Sequence, residues 1–389
     1  MASTSCADTL TITNLYSFGV SPNAWGPVNT LAQDTHGDFY GTTPGGGPLG
    51  CGTVFQLTST AQFNALVYFS GTNGSNPYGG LLRASDGTFY GTTQSGGIPD
   101  VNGDTLGTVF NVSTNGLLTS LVSFSGTNGG MPIAGLTQGS DGALYGTTRY
   151  GGPAYAPNNS PYNYGYGTVF KITTDGALTM LASFNGTNGA YPYGALLEFT
   201  NGIFYGTTSS GGSNNLGTVF QVDTNGNLTT LACFNGTNGS NPQAALIRGR
   251  DGLLYGTTLK GGTVTNANPQ DDPTGIRPYG TVFRMSRDGE LCTLHSFSGS
   301  SGDGYYPYDA LLQGTDGCLY GTTWGGGDYQ IGVIFRMTLA GDLITLYSFH
   351  GNYALPLGDS GQPYAGLVQS GDGYLYGTAK ASRNNNMIK

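Results

Sequence analysis

One short motif recurs along the whole chain. Tyr-Gly-Thr returns seven times, and the copies begin at Tyr40, Tyr90, Tyr145, Tyr205, Tyr255, Tyr320 and Tyr376. Successive copies are 50, 55, 60, 50, 65 and 56 residues apart. A period of this length corresponds to one supersecondary unit, and its variation indicates loops of different lengths. The sequence therefore predicts one repeat domain over residues 1–389, with seven repeats of about 50–65 residues.

Each repeat consists of short apolar segments that end at glycine-containing turns. In the third repeat these segments are Leu144 to Thr148, Gly167 to Phe170 and Leu178 to Phe184, and the turns are Asp141-Gly142 and Asp175-Gly176. Short β-branched or aromatic runs between Asp-Gly turns are typical of strands joined in hairpins. No segment has a sustained helical period. Each repeat is therefore predicted to form four antiparallel strands, numbered one to four.

The two ends of the chain are out of phase with the repeat. Strand one is marked by a proline four residues before a leucine, and strand four ends in a phenylalanine. The chain begins with a fourth strand, at residues 10–18, and ends with a first and a second strand, at residues 363–378. This offset predicts a seven-bladed β-propeller of four-stranded antiparallel blades, in which strand 10–18 closes the ring by completing the last blade, 363–389. An open β-solenoid is the alternative, but it would have distinct capping repeats.

Strand three is missing from the last repeat. Its Gly-Thr-Val-Phe motif occurs six times, from Gly52 to the altered copy at Gly332. The seventh copy is expected near residues 387–389 or, less well, near residues 2–6. If neither segment pairs, the closing blade has an open strand edge, and an open edge is a template for another chain. Self-association through the closing blade is therefore one expectation.

The composition excludes some partners. Charged residues make up 9% of the chain, its net charge is −9, and no cluster of Lys or Arg occurs, so nucleic acid is not an expected partner. No stretch approaches the roughly 20 apolar residues of a membrane span. Residues 1–8 lack the features of a signal peptide. Because uncharged chains rich in Gly, Thr and Asn are typical of secreted bacterial proteins, we expect an extracellular or cell-surface location, with the signal peptide absent from this chain.

The repeat resembles that of a known family. The pattern D-G-x-L-Y-G-T-T, G-G, G-T-V-F and L-x-x-L-x-x-F spans residues 10–378. It is similar to the tandem repeat of bacterial extracellular GloVer proteins, named for Gloeobacter and Verrucomicrobia. The resemblance implies a secreted or surface-anchored propeller. It supplies no catalytic motif.

One face of the predicted propeller varies between repeats. Connections between strands two and three, and between strand four and the next strand one, lie on this face and include the long loops 149–166 and 259–279. Aromatic faces combined with amides and hydroxyls suit sugar rings. The predicted ligand-binding residues are Tyr155, Tyr162, Tyr164, Tyr191, Tyr193, Tyr306, Tyr308, Trp324 and Tyr364. The tyrosines of the Tyr-Gly-Thr motif are instead expected to pack between blades.

Residues suited to catalysis are few. The chain has two glutamates and three histidines, and of these histidines only His350 falls in a variable connection. A polysaccharide lyase would use His350 with Tyr353 or Tyr306 as base and acid, and Arg277 to neutralise a carboxylate. The aspartates are explained by turns, so neither a metal nor a cofactor is expected.

Three functions remain open at this stage. The prediction is a secreted β-propeller that binds a polysaccharide or cell-surface glycan, as an adhesion or lectin-like module. The first alternative is a polysaccharide-degrading enzyme, either a lyase or a hydrolase. The second is a structural subunit of an extracellular assembly or filament.

Overall fold

The computed structural model describes residues 12–18, 24–156, 164–263, 279–300, 302–351, 361–380 and 385–388. These residues form seven four-stranded antiparallel sheets and one two-stranded ribbon. They contain no α-helix, and hence none that is long and apolar enough to cross a membrane. The prediction of an all-β propeller with four-stranded antiparallel blades is confirmed.

The chain starts with β1 (Asn14–Phe18) and then forms six sheets from strands that are consecutive in each blade. We call these sheets blades one to six. Blade one contains β2 (Ala32–Gln33), β3 (Phe39–Thr43), β4 (Thr53–Leu57) and β5 (Phe63–Tyr68). Blade two contains β6 (Leu82–Arg83), β7 (Phe89–Thr93), β8 (Thr108–Val112) and β9 (Leu118–Ser123). Blade three contains β10 (Thr137–Gln138), β11 (Leu144–Thr148), β12 (Thr168–Ile172) and β13 (Leu178–Ser183).

The next three blades follow the same plan. Blade four contains β14 (Leu197–Thr200), β15 (Ile203–Thr208), β16 (Thr218–Asp223) and β17 (Leu228–Cys233). Blade five contains β18 (Ile247–Arg248), β19 (Leu254–Thr258), β20 (Thr281–Met285) and β21 (Leu291–Ser296). After β22 (Gly304–Tyr305), blade six contains β23 (Leu312–Gln313), β24 (Leu319–Thr323), β26 (Val333–Met337) and β27 (Leu343–Ser348). The ribbon pairs β22 with β25 (Gly325–Gly326).

The remaining four-stranded sheet combines the two ends of the chain, and we call it the closing sheet. Its strands are β28 (Val368–Gln369), β29 (Leu375–Lys380) and β30 (Asn385–Ile388), followed by β1 at the outer edge. Of the predicted segment 10–18, residues 10 and 11 lie outside the described residues. The third strand forms at the first of the two predicted places, and it pairs with both β29 and β1. The open edge that motivated self-association is therefore filled.

The Tyr-Gly-Thr-Thr motif forms the second strand of each blade and packs against its neighbours. Tyr145 is fully buried and stacks on Phe204 of the next blade, with ring centroids 4.1 Å apart. Its hydroxyl donates a hydrogen bond to Asp141 Oδ2 at 2.9 Å, in the preceding hairpin turn. A Cβ on Gly146 would lie 2.5 Å from Phe170 Cζ, so the motif requires glycine there. The predicted packing of these tyrosines between blades is confirmed.

The two threonines of the motif bind neighbouring segments. The second threonine pairs with the threonine of Gly-Thr-Val-Phe, as in Thr148 and Thr168, whose hydroxyl oxygens are 2.7 Å apart. The first threonine reaches the next blade in other repeats, as Thr92 does when it donates to the carbonyl of Ala134 at 2.8 Å, whereas Thr147 Oγ1 is buried without a partner among the described residues. Both hydroxyls are buried, so these bonds satisfy polar groups that would otherwise destabilise the core.

The predicted position of strand one is wrong by several residues. The proline-to-leucine segment, such as Pro77 to Leu81, is irregular, and the strand of two residues begins only at Leu82. Adjacent segments crowd together here, because a Cβ on Gly79 would lie 2.6 Å from the carbonyl oxygen of Ala134. That carbonyl accepts the hydroxyl of Thr92 instead of a ladder hydrogen bond. The segments therefore line the axis of the propeller and pair only beyond the leucine.

Candidate functional site

The variable face is built from paired connections. We use this name for the face that carries the connections between strands two and three and between strand four and the next strand one. Isolated bridges join the two kinds of connection, as between Ser75 and Ser95 and between Gly130 and Tyr150. Next to each of these bridged pairs lies a second pair. It consists of the residue that follows the Tyr-Gly-Thr-Thr motif and the residue that precedes a strand-one proline. Side chains at these two positions are therefore adjacent.

The residue before each strand-one proline has a left-handed backbone. Gly26 occupies this position first, with a φ of 76°. The later units have side chains there, at φ values of 50° to 59°, and these residues are Asn76, Met131, Tyr191, Asn241, Tyr306 and Gln362. The left-handed conformation costs a residue with a Cβ about 1–2 kcal/mol, and asparagine tolerates it better than an aromatic residue. Tyr191 and Tyr306 are thus held in a disfavoured conformation.

Backbone hydrogen bonds hold these two tyrosines. The Tyr191 amide donates to the carbonyl of Tyr166 at 2.9 Å, and the Tyr191 carbonyl accepts from Ser209 at 3.0 Å. Tyr306 makes the same two contacts, with Tyr279 at 3.1 Å and with Trp324 at 3.0 Å. Backbone strain of this kind clusters at binding sites and catalytic sites. Because the conformation recurs in every unit, it belongs to the scaffold, and it holds each of these side chains, including the two tyrosine rings, beside the channel.

A central cavity of about 660 Å³ lies along the propeller axis. Every repeat contributes the residue after its strand-one proline to the wall, and these residues are Val28, Tyr78, Ile133, Tyr193, Gln243, Tyr308 and Tyr364. Four of the seven are tyrosines. Tyr308 and Tyr364 have ring centroids 5.1 Å apart, and burial raises the pKa of both phenols, so both are neutral at neutral pH. The wall thus presents several neutral aromatic faces.

The second residue after the strand-one proline has a small side chain in most repeats, and two residues depart from this pattern. Gly79, Ala134, Gly194, Ala244 and Ala365 occupy this position in five units, while Asn29 and Asp309 occupy it in the others. Asn29 Nδ2 donates to Thr42 Oγ1 at 2.6 Å and to the carbonyl of Tyr78 at 3.2 Å. Asn29 Oδ1 is buried without a hydrogen-bond partner among the described residues. Asn29 thus brings an unsatisfied acceptor to the wall of the cavity.

Asp309 ties three parts of the ring together. Its Oδ2 accepts from Thr30 Oγ1 at 3.0 Å and from the amide of Gly366 at 2.6 Å, while its Oδ1 accepts from the amide of Ala310 at 2.7 Å. Burial raises the pKa of Asp309 above its usual range, although the three hydrogen bonds offset part of that shift. Its oxygens are therefore engaged within the protein.

Arg149 is the cationic residue of the cavity wall as far as the structure describes it. Its guanidinium carbon lies 4.8 Å from the ring centroid of Tyr150 and 4.8 Å from that of Tyr193. Its Nε is buried and has no hydrogen-bond partner among the described residues. Arg149 follows Thr148 directly, at the position that places side chains beside the pre-proline residue. The arginine is thus fixed by aromatic contacts.

Two aromatic groups flank the cavity. The first surrounds Arg149, where Tyr150 lies 5.4 Å from Tyr191 and 5.8 Å from Tyr164 between ring centroids. The second surrounds Trp324, which lies 6.0 Å from Tyr306 and 6.5 Å from Tyr364. Together they extend the aromatic wall of the cavity onto the variable face.

The sequence matches one family model. The model of the Gloeobacter/Verrucomicrobia repeat covers residues 4–158 and residues 152–388. The chain belongs to this repeat family. The family identified from its motifs is therefore confirmed, and no curated protein matches the chain.

Solved structures share the fold of this Gloeobacter/Verrucomicrobia repeat protein at low identity. A putative 6-phosphogluconolactonase of Bacteroides fragilis is 18% identical, with 87% of each chain covered and a TM-score of 0.50. The periplasmic gluconolactonase of Pseudomonas aeruginosa is 19% identical, with 87% of this chain and 92% of that chain covered and a TM-score of 0.50. The extracellular domain of a putative hybrid two-component system of B. thetaiotaomicron is 11% identical, with a TM-score of 0.54. The match covers 94% of this chain and 40% of that one.

The predicted ligand residues of this repeat protein fall into three groups. Tyr193, Tyr308 and Tyr364 line the cavity, and Tyr191, Tyr306 and Trp324 belong to the flanking aromatic groups. Tyr164 lies near Tyr155, whose hydroxyl donates to Asp100 Oδ2 at 2.9 Å and so packs towards the preceding blade. Tyr162 lies outside the described residues. The prediction missed Arg149 and Asn29, of which Asn29 departs from a position that is Gly or Ala in five repeats, whereas the position of Arg149 has no recurring residue.

The structure describes two of the candidate catalytic residues, His350 and Tyr306. His350 Nδ1 lies 3.3 Å from the hydroxyl of Tyr347, and its ring lies 4.3 Å from that of Tyr329. Tyr353 and Arg277 lie outside the described residues. Within the described ranges, no group of three or more His, Cys, Asp and Glu residues could hold a metal ion.

A separate His–Asp pair lies in blade five and the connection that follows. His295 Nε2 is 3.3 Å from Asp303 Oδ1, while the amide and hydroxyl of Ser298 each donate to Asp303 Oδ2 at 2.7 Å. Burial alone would raise the pKa of Asp303, but the hydrogen bonds from His295 and Ser298 outweigh it and lower the pKa. The carboxylate is therefore stabilised in the folded state, where it anchors the connection.

Replacing Asp303 by asparagine is expected to lower the free energy of unfolding at pH 7 by about 1–3 kcal/mol, because the partly buried donors of His295 and Ser298 lose their charged acceptor. Since the folded pKa is depressed, the contribution is present above the unfolded value of roughly 3.9 and is lost as pH falls through the folded value. Urea unfolding between pH 3 and pH 7 measures both effects. Asp328→Asn, at an exposed position, is the control. Equal losses in the two variants at pH 7 would contradict the anchoring role.

Proposed function

We propose that this repeat protein binds carbohydrate in the central cavity and on the aromatic groups beside it. One observation carries the proposal, namely that four tyrosines line a cavity of about 660 Å³ together with Asn29, Gln94, Gln243 and Arg149. Ligand sites typically measure about 300–1,000 Å³ and combine apolar walls with a few polar groups. The cavity fits that description.

The chemistry of the wall suits a sugar better than a flat apolar ligand. A pyranose ring presents C–H faces that pack on aromatic rings, and hydroxyls that donate to amide oxygens. The unpartnered Oδ1 of Asn29 is such an acceptor. Burying a polar atom without a partner is unfavourable, so a ligand whose hydroxyl reaches this oxygen binds more tightly. A short stretch of oligosaccharide is the proposed occupant.

The scaffold of this site is proposed to be a seven-bladed ring. Blades one to six and the closing sheet each place one strand-one segment at the cavity, since residues from Val28 to Tyr364 line it. Asp309 hydrogen-bonds to Thr30 and to Gly366, which belong to the first and last segments. We propose that β1 closes the ring and thereby fixes the spacing of the tyrosines.

The proposed place of action is outside the cell or at its surface. The support is a composition with only 9% charged residues. Two structural neighbours are described as gluconolactonases, one of them putative and the other periplasmic, but at 18% and 19% identity the likeness concerns the fold alone. The carbohydrate assignment therefore rests on the cavity.

Electrophoresis through native gels that contain plant, algal or bacterial polysaccharides tests the proposal. We expect slower migration of the protein in at least one gel, with no shortening of the polymer afterwards. Shortening would favour the enzymatic alternative and direct attention to His350. Unchanged migration in every gel would contradict carbohydrate binding and favour the structural alternative.

Replacing Tyr193 or Tyr308 by alanine is expected to weaken retention of the polymer about tenfold, because each change removes an aromatic face worth about 1.4 kcal/mol. Dissociation constants from the gel series measure the effect. Tyr68→Ala is the control, since Tyr68 is 40% exposed on β5 and does not line the cavity. Equal losses for Tyr68→Ala and the cavity variants would contradict the assigned site.

A further inference from the structure

We infer that the ligand of the central cavity is an acidic saccharide whose carboxylate is bound by Arg149. The inference rests on the proposed carbohydrate function and specifies its ligand class, which is a sugar acid such as a uronate. It assigns recognition of the negative charge to one guanidinium group and recognition of the ring to the tyrosines. Three observations lead to it.

The first observation is that Arg149 has unused donors. A guanidinium group carries five N–H donors and no acceptor. Arg149 lies over the rings of Tyr150 and Tyr193, and its buried Nε has no hydrogen-bond partner among the described residues. No described Asp or Glu forms an ion pair with it. The terminal nitrogens of Arg149 also donate to no described residue, and Arg149 lines the cavity, so an acceptor on a ligand can bind them there.

The second observation concerns the charge balance of the cavity. The described wall contains one cationic side chain, Arg149, and one carboxylate, Asp309. The oxygens of Asp309 accept hydrogen bonds from Thr30, Gly366 and Ala310. Asp309 therefore does not neutralise the guanidinium. The charge of Arg149 remains available to a ligand that enters the cavity.

The third observation is the geometry of the rings. The guanidinium carbon lies 4.8 Å from the ring centroids of both Tyr150 and Tyr193, so the two rings restrict its position, and the planar fork of an arginine binds a carboxylate through two parallel hydrogen bonds. In a uronate the carboxylate is attached to the pyranose ring itself. A carboxylate held at Arg149 therefore keeps the attached ring among the tyrosines of the wall, of which Tyr193 is the nearest.

The net charge of the chain makes this contact selective. At −9, the protein repels acidic polymers at long range, and Lys and Arg together number only 13. Adsorption of a polyanion to a diffuse basic surface is therefore not available as an alternative. Binding of an acidic saccharide requires a local site, and Arg149 is the cation of the described wall.

Calorimetric titration with oligogalacturonate or oligoglucuronate, compared with the methyl esters of the same oligomers, tests the inference on the unmodified protein. Esterification removes the charge and keeps the sugar. We expect the acid to bind about 10- to 100-fold more tightly than its ester, the range for hydrogen bonds to a charged group. Equal affinity for acid and ester would overturn the inference while leaving carbohydrate binding intact.

Variants then locate the effect. Arg149→Gln is expected to abolish the preference for the acid over the ester, so that both bind with equal affinity, and Arg149→Lys is expected to retain only part of the preference, because lysine lacks the planar fork. Arg83→Gln, an exposed arginine away from the cavity wall, is the control and should change neither value. Retention of the acid preference in a folded Arg149→Gln protein would overturn the assignment. If acids, esters and neutral oligosaccharides all fail to bind the unmodified protein, the proposed function fails together with the inference.

Discussion

Gly146→Ala is expected to lower the free energy of unfolding by about 3 kcal/mol, because the new methyl group meets atoms that cannot move away. Its Cβ would lie 2.5 Å from Phe170 Cζ and 2.8 Å from Leu136 Cδ2. Phe170 is fully buried and packs on Phe124 of the previous blade, with ring centroids 5.3 Å apart. The strain therefore reaches the contact between two blades. Urea unfolding followed by tyrosine fluorescence measures the loss.

Gly371→Ala is the matched control for this substitution. Gly371 is exposed, no atom lies within 4 Å of the position that its Cβ would occupy, and its backbone is not left-handed. Alanine there is expected to leave stability unchanged or to raise it by about 0.4–1 kcal/mol, since it restricts the unfolded chain. A loss for Gly146→Ala no larger than the change for Gly371→Ala would show that the blade contact tolerates the methyl group.

The architecture of the blades was predictable because each repeated residue has a contact that recurs. The tyrosine of the Tyr-Gly-Thr-Thr motif bonds to the turn aspartate, as Tyr255 does with Asp251 at 2.6 Å, and its glycine makes room for a phenylalanine. Because each repeat makes the same contacts, the same residue types recur along the sequence at the period of the repeat. These recurring residues were enough to predict the four-strand unit and the packing between blades.

The prediction of strand one failed because contacts between neighbouring blades, and not the local residue pattern, decide which residues pair. Pro77 to Leu81 was assigned to strand one by its recurring proline and leucine, but the carbonyls of Pro77 and Gly79 accept from the Thr42 hydroxyl of the neighbouring blade. Strand β30, by contrast, forms at the first of the two places predicted for it, although it carries no Gly-Thr-Val-Phe motif, and it pairs with β29 and β1. Two places remained open because pairing of the two chain ends is a tertiary effect that one segment does not encode alone.

The candidate site was predictable in its aromatic part only. The tyrosines after the prolines recur in register, and three of the predicted ones line the cavity. Arg149 and Asn29 occur once each, so periodicity does not reveal them. Comparison of equivalent positions would have found Asn29, because five repeats have Gly or Ala there, but not Arg149, because that position differs in every repeat, with Pro44, Gln94, Ser209, Leu259 and Trp324 in other repeats. In a repeat protein, the departures from the repeat supply the polar groups of the site.

Deleting residues 1–18 is expected to lower the free energy of unfolding by more than about 5 kcal/mol, because the deletion removes a whole edge strand and its buried side chains. Phe18 is 1% exposed, and its ring lies 5.0 Å from Phe55 and 5.7 Å from Phe63 of blade one. Its loss opens the contact between blade one and the closing sheet. Urea unfolding combined with size-exclusion chromatography measures the stability and the oligomeric state together.

Two controls separate closure of the ring from general damage. A peptide of residues 12–18 added in excess should restore much of the lost stability by pairing with β30, whereas a scrambled peptide should not. In the full chain, Phe18→Ala should cost about 3–5 kcal/mol, while Ser17→Ala, on the exposed side of the same strand, should stay within about 0.5 kcal/mol. An unchanged urea midpoint after the deletion would contradict closure by β1. Dimers that form after the deletion and dissolve when the peptide is added would support it, since an uncovered β30 edge is a template for a second chain.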